Sequence, residues 1–369
     1  MKNVWQSELD HCWSWLAGKP ELAGPWAVGV SGGADSLALV FLLQEWAKEK
    51  QADFTALTVQ HGLRPEAEAE AQYVARLMKA HGIKHHILYW KGEKPVSGVE
   101  SAARTARYEL MYDWCRQNGV GALLIAHQKR DQSETFLMRL QRGSGVDGLS
   151  AMAPVSKWKN LYVVRPLLQT DPECLRAYLE GRKISWVEDA SNDCDDFLRV
   201  KIRKMLPALE ADIGLSRERL CNTALEMARV RDYLEKQTAE FVAAEAGFAG
   251  NCGVSLKPEA LGKLHEEIGL RVLSALLKKV GGKIYPPCLE EVERLWEAVR
   301  KPDFRGRTLG DCEIFLFRKK IWIIRELKNT EKLPRKEWEN FVALHPEYAK
   351  SELPYKLRRV LYAAADLKS

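Results

Sequence analysis

The segment Trp26–Ser36 places the strongest constraint on the fold, because an apolar run ends in two adjacent glycines and leads straight into an apolar helix pattern. Trp26–Val30 predicts a buried strand, and Asp35–Lys48 predicts a helix. Between them stands Ser31-Gly-Gly-Ala-Asp-Ser36, whose glycines allow a sharp turn. Backbone N–H groups in such a turn, added to a helix N-terminus, bind an anion without any lysine. The segment therefore predicts a phosphate site at the end of a strand.

Asp35 indicates what else this site binds, since a carboxylate beside a bare phosphate repels it. Its presence predicts Mg²⁺ bridging the carboxylate and the phosphates. Ser31 and Ser36 add hydroxyl donors to the loop. Ordinary helix capping explains one of these residues, but not two serines, two glycines and an aspartate together. No GxxxxGK[ST] occurs in the chain, which excludes a Walker A loop.

Strand and helix patterns alternate from Trp26 to about Ala126, which indicates an α/β fold with a parallel sheet wrapped by helices. In such sheets ligands bind beyond the carboxyl ends of the strands. His127 and Asp131 follow the fourth strand and are candidates for a base or for positioning Mg²⁺ or substrate. The alternative is local: a loop histidine bonded to backbone and an aspartate capping the next helix. The other predicted strands are Phe54–Val59, His85–Trp90 and Ala122–Ala126, with helices at Glu66–His81 and Val99–Asn118.

The alternation fades after about residue 150, and a length of 369 residues suggests two or three domains. Helical patterns cover Asp171–Arg182, a basic stretch Lys201–Leu209 ending near Pro207, and Ser216–Ala246. Later residues contain two helical stretches and two strands, typical of a small α+β domain. We predict a catalytic domain at 1–215, a helical linker at 216–250, the small α+β domain at 251–328, and a tail or partial domain at 329–369.

Composition narrows the class of protein only slightly. A net charge of +6 favours polyanionic partners, and by itself decides little. The longest apolar run, Leu37–Leu43, is far shorter than the roughly 20 residues that span a bilayer. Met1–Asp10 has no basic-then-apolar leader, so we expect a cytoplasmic protein without membrane partners. The eight cysteines form no CxxC pair, which argues against a disulfide scaffold, a zinc ribbon or a redox dithiol.

Ser31–Ser36 after a first strand resembles the PP-loop of the N-type ATP pyrophosphatases, whose fold is adenine nucleotide alpha hydrolase-like. Members of that family cleave ATP between its α- and β-phosphates. Further segments, in chain order, make the sequence similar to the tRNA(Ile)-lysidine synthetases over about residues 25–325. These segments are Gln60–Arg64 (QHGLR), Ser101–Tyr108 (SAARTARY), Ala126–Gly145, Arg165–Leu168 (RPLL), Trp186–Asn192 (WVEDASN) and Phe197–Arg203 (FLRVKIR).

The resemblance implies a reaction in which free lysine is ligated to C2 of cytidine 34 in a CAU-anticodon tRNA(Ile). It would run through a cytidine adenylated on O2 and release AMP and pyrophosphate. ATP and Mg²⁺ are the implied cofactors, and tRNA(Ile) and free L-lysine are the implied partners. The domain at 251–328 would then bind tRNA, and a homodimer is left open.

The same resemblance assigns roles to individual residues. Asp35, His127 and Asp131 would be catalytic, with Asp35 also holding the metal. Each basic residue among the others could equally be a solvated surface side chain. ATP would be bound by Ser31, Gly32, Gly33, Ala34, Asp35, Ser36 and Arg104, and tRNA by Arg107, Arg139, Arg142, Arg199, Lys201 and Arg203.

Two stretches depart from the family pattern and keep alternatives open. The usual His-His-x-Asp-Asp-Gln is His127-Gln-Lys-Arg-Asp-Gln132, and the usual Arg-Asn-x-Ile-Arg is Arg199-Val-Lys-Ile-Arg203. A catalytically altered tRNA-binding paralogue is therefore one alternative. Another PP-loop adenylating amide synthetase is a second. A thiolating relative is a third, and the missing CxxC pair argues against it.

Overall fold

The computed structural model describes residues 10, 25–92, 94–95, 97–188, 198–249, 253–283, 285–326 and 358. Apart from Arg358, the predicted tail at 329–369 lies outside the described residues. The chain divides into two compact units, Met1–Val230 and Arg231–Ser369. No helix in the described part of the chain is both long enough and apolar enough to cross a bilayer.

The first unit alternates strands and helices as far as its fourth helix, and two short strands follow. The strands are β1 (Trp26–Gly29), β2 (Phe54–Gln60), β3 (His85–Tyr89), β4 (Ala122–Leu124), β5 (Val155–Trp158) and β6 (Leu161–Val164). The helices are α1 (Ala34–Lys50), α2 (Ala67–Ala80), α3 (Val99–Gln117), α4 (Lys129–Gln141), α5 (Val146–Leu149), α6 (Pro172–Gly181) and α7 (Leu198–Ile213). A long helix, α8 (Arg217–Glu245), runs through the boundary between the units.

The sheet of the first unit has the strand order β3-β2-β1-β4-β6-β5. Its paired strands are parallel except for the β5–β6 pair, which is antiparallel. Because β2 and β4 lie on opposite sides of β1, the strand order reverses there. A reversal of this kind opens a crevice at the carboxyl ends of the strands, where α/β proteins bind ligands. The α/β prediction, with a parallel sheet wrapped by helices, is confirmed.

Helix α1 forms the centre of the first core because its residues 37–43 are all apolar. Leu37, Leu39, Phe41 and Leu42 are completely buried. Trp46, in the same helix, stacks on a tryptophan of β1 with ring centroids 5.4 Å apart. A helix buried on all sides is held in place by packing, so the loop at its N-terminus has a rigid base.

Two strands of the first unit were missed by the sequence analysis, and one helix end was placed wrongly. Strands β5 and β6 were not expected, although β6 extends the sheet beside β4. Helix α7 does not end near Pro207 but continues to Ile213. Proline removes one helical hydrogen bond and crowds the preceding turn. In α7 that local cost is outweighed by burial of Val200, Ile202 and Leu206.

The second unit contains an antiparallel sheet with the order β7-β8-β11-β10-β9. Leu273 and Leu277 of one helix and Trp296 of another are buried in its core. The limit predicted between residues 250 and 251 falls between β7 and β8, which pair with each other in this sheet. The elements are β7 (Gly247–Ala249), β8 (Gly253–Leu256), α9 (Pro258–Gly262), α10 (Glu266–Gly281), α11 (Leu289–Val299), β9 (Arg307–Leu309), β10 (Cys312–Phe317) and β11 (Lys320–Arg325). The expected small α+β fold is therefore present.

Candidate active site

The loop between β1 and α1 is shaped by its two serines. Ser36 Oγ donates to Gly33 O at 2.9 Å and accepts from Ser31 N at 3.1 Å. The hydroxyl oxygens of Ser31 and Ser36 lie 3.2 Å apart. Among the described side chains, none caps the first turn of α1. Its backbone N–H groups therefore lack an intrahelical or side-chain acceptor, which is the arrangement that binds phosphate.

Gly32 is the residue at which this loop requires glycine. Its φ of +92° lies in the left-handed region that favours glycine. A Cβ at this position would lie 3.1 Å from Val74 Cγ2 and 3.5 Å from Val187 Cγ2. Gly32 O also accepts a hydrogen bond from Val187 N at 3.0 Å. The backbone thus lies close to two neighbouring segments, and a side chain here would be strained by its φ and crowded by Val74.

Asp35 lies half-buried in the first turn of α1, at the carboxyl end of β1. Burial raises its pKa, and the carboxylate of Asp131 raises that pKa further. The charge of Arg130 and a hydrogen bond from Gln128 act in the opposite direction. The structure therefore brings together Asp35 and Asp131, two of the three predicted catalytic residues, in the first turns of the helices that follow β1 and β4.

Gln128 connects those two loops. Its side chain is only 1% exposed, and Oε1 accepts from Arg130 N at 2.5 Å. Asp131 Oδ2 accepts in return from Gln128 N at 3.1 Å, which completes a capping box at the start of α4. The remaining amide atom, Nε2, donates to Asp35 Oδ2 at 3.4 Å. One buried amide thus caps α4 and contacts the phosphate loop.

Glu134, on α4, is a buried carboxylate surrounded by arginines, and its side chain has no exposed surface. Arg203 Nε donates to Oε1 at 2.8 Å, and Arg199 Nε lies 2.9 Å from Oε2. Arg130 Nε is more distant, at 4.0 Å from Oε1. Arg199 and Arg203, which we expected to contact tRNA, are therefore both engaged with a buried acid. Buried ion pairs of this kind hold local structure because neither partner tolerates loss of the other.

His127 lies beyond β4 and is held in a single protonation state. Arg165 Nε donates to its Nδ1 at 3.2 Å. Burial lowers the pKa of His127 to about 4, and the charge of Arg165 lowers it although Asp131 acts in the opposite direction. The imidazole is therefore neutral near pH 7, with Nδ1 as acceptor and the proton on Nε2. In this form Nε2 is a hydrogen-bond donor.

The remaining predicted residues differ in exposure and in hydrogen bonding. Arg104 is exposed, with its guanidinium 5.5 Å from the ring centroid of Tyr108. Arg107 Nε donates to His61 Nε2 at 3.3 Å. Arg139 Nη1 donates to two carbonyl oxygens of the segment after α4, which indicates a structural role. Arg142 and Lys201 are exposed.

Sequence reasoning missed four residues that shape the site. Gln128 and Arg130 stood out only as departures from a family pattern, and Arg165 only as part of the RPLL segment. Arg165 follows β6, so a prediction of that strand would have placed it at the carboxyl edge with the others. Glu134 lies near the start of a helix, where acids are common, and its sequence neighbours give no sign that it is buried.

The parallel sheet with its crevice beside β1, and the glycine-containing phosphate loop at the start of α1, define a PP-loop ATP-binding protein. A family model described as a PP-loop domain matches residues 11–209. A solved structure, the U34-tRNA thiolase NcsA of Methanococcus maripaludis, has the same fold with a TM-score of 0.50. It is 18% identical, over 61% of this chain and 80% of its own.

Sequence comparison then identifies the family within that class. The tRNA(Ile)-lysidine synthase of Wolbachia sp. subsp. Brugia malayi is 37% identical over 311 residues, 83% of this chain and 72% of its own. That of Ruegeria pomeroyi is 38% identical over 307 residues, with the same two coverages. The chain belongs to the tRNA(Ile)-lysidine synthase family, and the resemblance seen in its motifs is confirmed.

Proposed function

We propose that this chain ligates free lysine to C2 of cytidine 34 in a CAU-anticodon tRNA(Ile), using ATP. The cytidine would first be adenylated on O2, and the products would be lysidine-bearing tRNA, AMP and pyrophosphate. One observation carries the proposal. In this member of the family, Gln128 joins the phosphate loop to the start of α4, where Asp131 and His127 lie. The two half-reactions would thus share one edge of the sheet.

Asp35 fits a bound Mg²⁺. Its carboxylate is half-buried and lies near that of Asp131. Burial and the neighbouring negative charge both destabilise the ionised carboxylate, and a bound cation would offset both effects. Protein sites for Mg²⁺ commonly use one or two carboxylates, with phosphate oxygens and water completing the shell. Bound there, the ion would neutralise charge on the nucleotide phosphates. The N–H groups of the loop would bind and orient those phosphates.

The residues beyond β4 would act on the acceptor rather than on ATP. His127 can donate from Nε2, so it suits the positioning of a substrate oxygen better than the removal of a proton. Lysine must lose a proton from an amine with a pKa near 10.4 before it can attack. Asp131 is the candidate base. Its Oδ2 accepts the hydrogen bond of the capping box, whereas its Oδ1 lies 3.9 Å from Arg199, so Oδ1 is the oxygen that could accept a proton.

For tRNA, we propose that the second unit contributes a basic edge formed by Lys257, Arg318, Lys319 and Lys320. All four side chains are exposed. The β8–β11 register pairs Leu256 with Ile321, so Lys257 and Lys320 lie at the same end of the sheet. Arg318 and Lys319 form the β10–β11 turn there, with φ values of +50° and +57°. Such clustered cations suit contacts to an RNA backbone.

In the first unit, the exposed cations Arg104, Arg107, Arg142 and Lys201 remain candidates for ATP or tRNA contacts. Arg139, Arg199 and Arg203 are less suited, since each already binds protein acceptors. A homodimer and a cytoplasmic location stay predictions.

The test is incorporation of labelled lysine into a CAU-anticodon isoleucine tRNA, with ATP and Mg²⁺ present. Mild alkali afterwards removes lysine esterified at the 3′ end and leaves lysine bonded to a base. Label that survives alkali, requires ATP and disappears when cytidine 34 is replaced would support the proposal. AMP formation with a different acceptor would show that the enzyme adenylates another substrate. Salt-sensitive tRNA binding without AMP formation would favour a paralogue that binds tRNA and has lost catalysis.

A further inference from the structure

Arg130 stands in an unusual place for a cation. It belongs to the first turn of α4, at the positive end of the helix dipole, where cations are disfavoured by about 0.3–1 kcal/mol. Its side chain is 25% exposed, so it is neither released to solvent nor fully enclosed. Within the described residues, its Nε atom is buried and makes no hydrogen bond.

Glu134 does not account for this placement. Its two carboxylate oxygens are already contacted by Arg203 and Arg199 at 2.8 and 2.9 Å, whereas Arg130 is 4.0 Å away. Two guanidinium groups more than balance one carboxylate. A third is superfluous for neutralising Glu134, so the charge of Arg130 is left to act elsewhere.

That charge acts on the phosphate loop. The backbone N of Arg130 is bonded to the same Gln128 side chain that contacts Asp35, which holds α4 beside the loop. The positive charge of Arg130 lowers the pKa of Asp35, and it also lowers that of Glu173 at the start of α6. Through the hydrogen bonds of Gln128, the first turn of α4, which carries Arg130, borders the PP-loop.

The surroundings carry an excess of positive charge that suits an anion. Among the described residues, four carboxylates interact with Arg130, Arg199 or Arg203, those of Asp35, Asp131, Glu134 and Glu173. Neighbouring pairs such as Lys129 with Asp171 are internally balanced. Besides Arg217, which is paired with Glu173, the guanidinium groups that contact these acids, or act on them or on His127, are those of Arg104, Arg130, Arg165, Arg176, Arg199 and Arg203.

We propose that the guanidinium group of Arg130 binds phosphate oxygens of the ATP held by the PP-loop, so that protein neutralises part of the nucleotide charge without metal. This inference rests on the proposed use of ATP at the loop. A planar guanidinium can donate two parallel hydrogen bonds to a phosphate, which a lysine cannot reproduce. Arg130 would thus be a nucleotide-binding residue of the site, supplementing the loop N–H groups.

The experiment is equilibrium dialysis of the full chain with labelled ATP, and separately with adenosine, in EDTA and in Mg²⁺. The variants are Arg130→Ala and Arg130→Lys. The matched control is Arg116→Ala, which removes an arginine of α3 whose side chain is 65% exposed. In EDTA, Arg130→Ala should weaken ATP binding by about ten- to a hundredfold, as expected for a charge-assisted hydrogen bond. Arg130→Lys should lose less, and Arg116→Ala should lose nothing.

Adenosine separates a phosphate contact from a structural role, because it lacks phosphate. Its affinity should be the same for wild type and Arg130→Ala. The assignment would be overturned if Arg130→Ala lost the same affinity for adenosine as for ATP, or if its ATP affinity were unchanged. It would also be overturned if the wild-type chain bound no ATP in EDTA. Those results would leave the proposed function standing. Failure of the wild-type chain to bind ATP even with Mg²⁺ would overturn the proposed function and the Arg130 assignment together.

Discussion

Gln128 Nε2 donates to Asp35 Oδ2 at 3.4 Å, across 93 residues of sequence. The same side chain accepts from a backbone N–H of α4, so the loop after β1 and the helix after β4 are held by one amide group. An amide can do this because it carries a donor and an acceptor at once. The orientation of Asp35 and the start of α4 are therefore coupled.

Replacing Gln128 with leucine should have two effects. Loss of the cap should lower the free energy of unfolding by about 0.5–2 kcal/mol. Loss of the hydrogen bond that lowers the pKa of Asp35 should raise that pKa. A larger fraction of Asp35 is then protonated at any given pH, so the acid limb of AMP formation should move to higher pH. Urea denaturation and a pH–rate profile measure the two effects.

Gln132→Leu is the matched control, since Gln132 is also buried on α4 but bonds to the backbone of Met152. The Gln132→Leu variant should be less stable than the wild type, and the acid limb of its pH–rate profile for AMP formation should not move. Equal displacement of the acid limb in both variants would show that Gln128 acts through folding alone.

Asp35→Asn should abolish AMP formation and leave tRNA affinity nearly unchanged. The substitution keeps the size of the side chain and removes the charge that would hold Mg²⁺ against the phosphates. AMP release and tRNA filter binding are measured in parallel. Asp113→Asn removes a half-exposed acid from α3 and should leave both quantities intact. Turnover by Asp35→Asn comparable to wild type would contradict the metal-holding role.

Glu134→Ala should destabilise the first unit by about 3–5 kcal/mol. The substitution leaves the charges of Arg199 and Arg203 without the buried carboxylate that they contact. Glu173→Ala breaks an ion pair with Arg217 at 3.1 Å whose acid is 64% exposed. That exposed pair should contribute only about 0–1 kcal/mol. Chemical denaturation of both variants makes the comparison, and similar losses would show that Glu134 is not held as described.

Removal of the two turn cations of the basic edge should weaken tRNA binding without unfolding the hairpin. Arg318→Asn with Lys319→Gly places residues that prefer positive φ at both turn positions. The slope of log affinity against log salt should fall by roughly 2, one for each lost phosphate contact. Removal of Lys48 and Lys50, in the last turn of α1, is the control and should leave the slope unchanged. An unaltered slope in the hairpin variant would exclude the turn from the interface.

The first part of the fold could be predicted because its signals are local. Strands β1 to β4 and helices α1 to α3 end within about two residues of their predicted limits, since apolar runs and breaking residues mark them. Strands β5 and β6 are only four residues each, and their pairing with each other and with β4 decides their conformation. Helix α7 passes Pro207 for the same reason, because packing outweighs local preference.

The same division applies to the site. The loop Ser31–Ser36 could be predicted because the residues that bind phosphate are contiguous. The contacts of Gln128 with Asp35, and of Arg165 with His127, join residues 93 and 38 positions apart. Those depend on strand order, which periodicity does not specify. Sequence reasoning therefore found the anion site and left the connections between its loops undetermined.

Three partly buried histidines should make the first unit sensitive to acid. Burial lowers the pKa of His61, His85 and His127 to about 4 each, from 6.5. Between pH 6.5 and pH 4 the unfolded chain therefore binds more protons than the folded one, and stability falls as the pH is lowered through that window. His85→Gln, which retains a polar partner for Thr58, should reduce this dependence by one proton. The urea midpoint at pH 7.5 and pH 5 measures the dependence. As a control, Gln132→Leu should lower the urea midpoint by the same amount at pH 7.5 and at pH 5. If His85→Gln also lowered the midpoint equally at the two pH values, His85 would not be held neutral in the folded state.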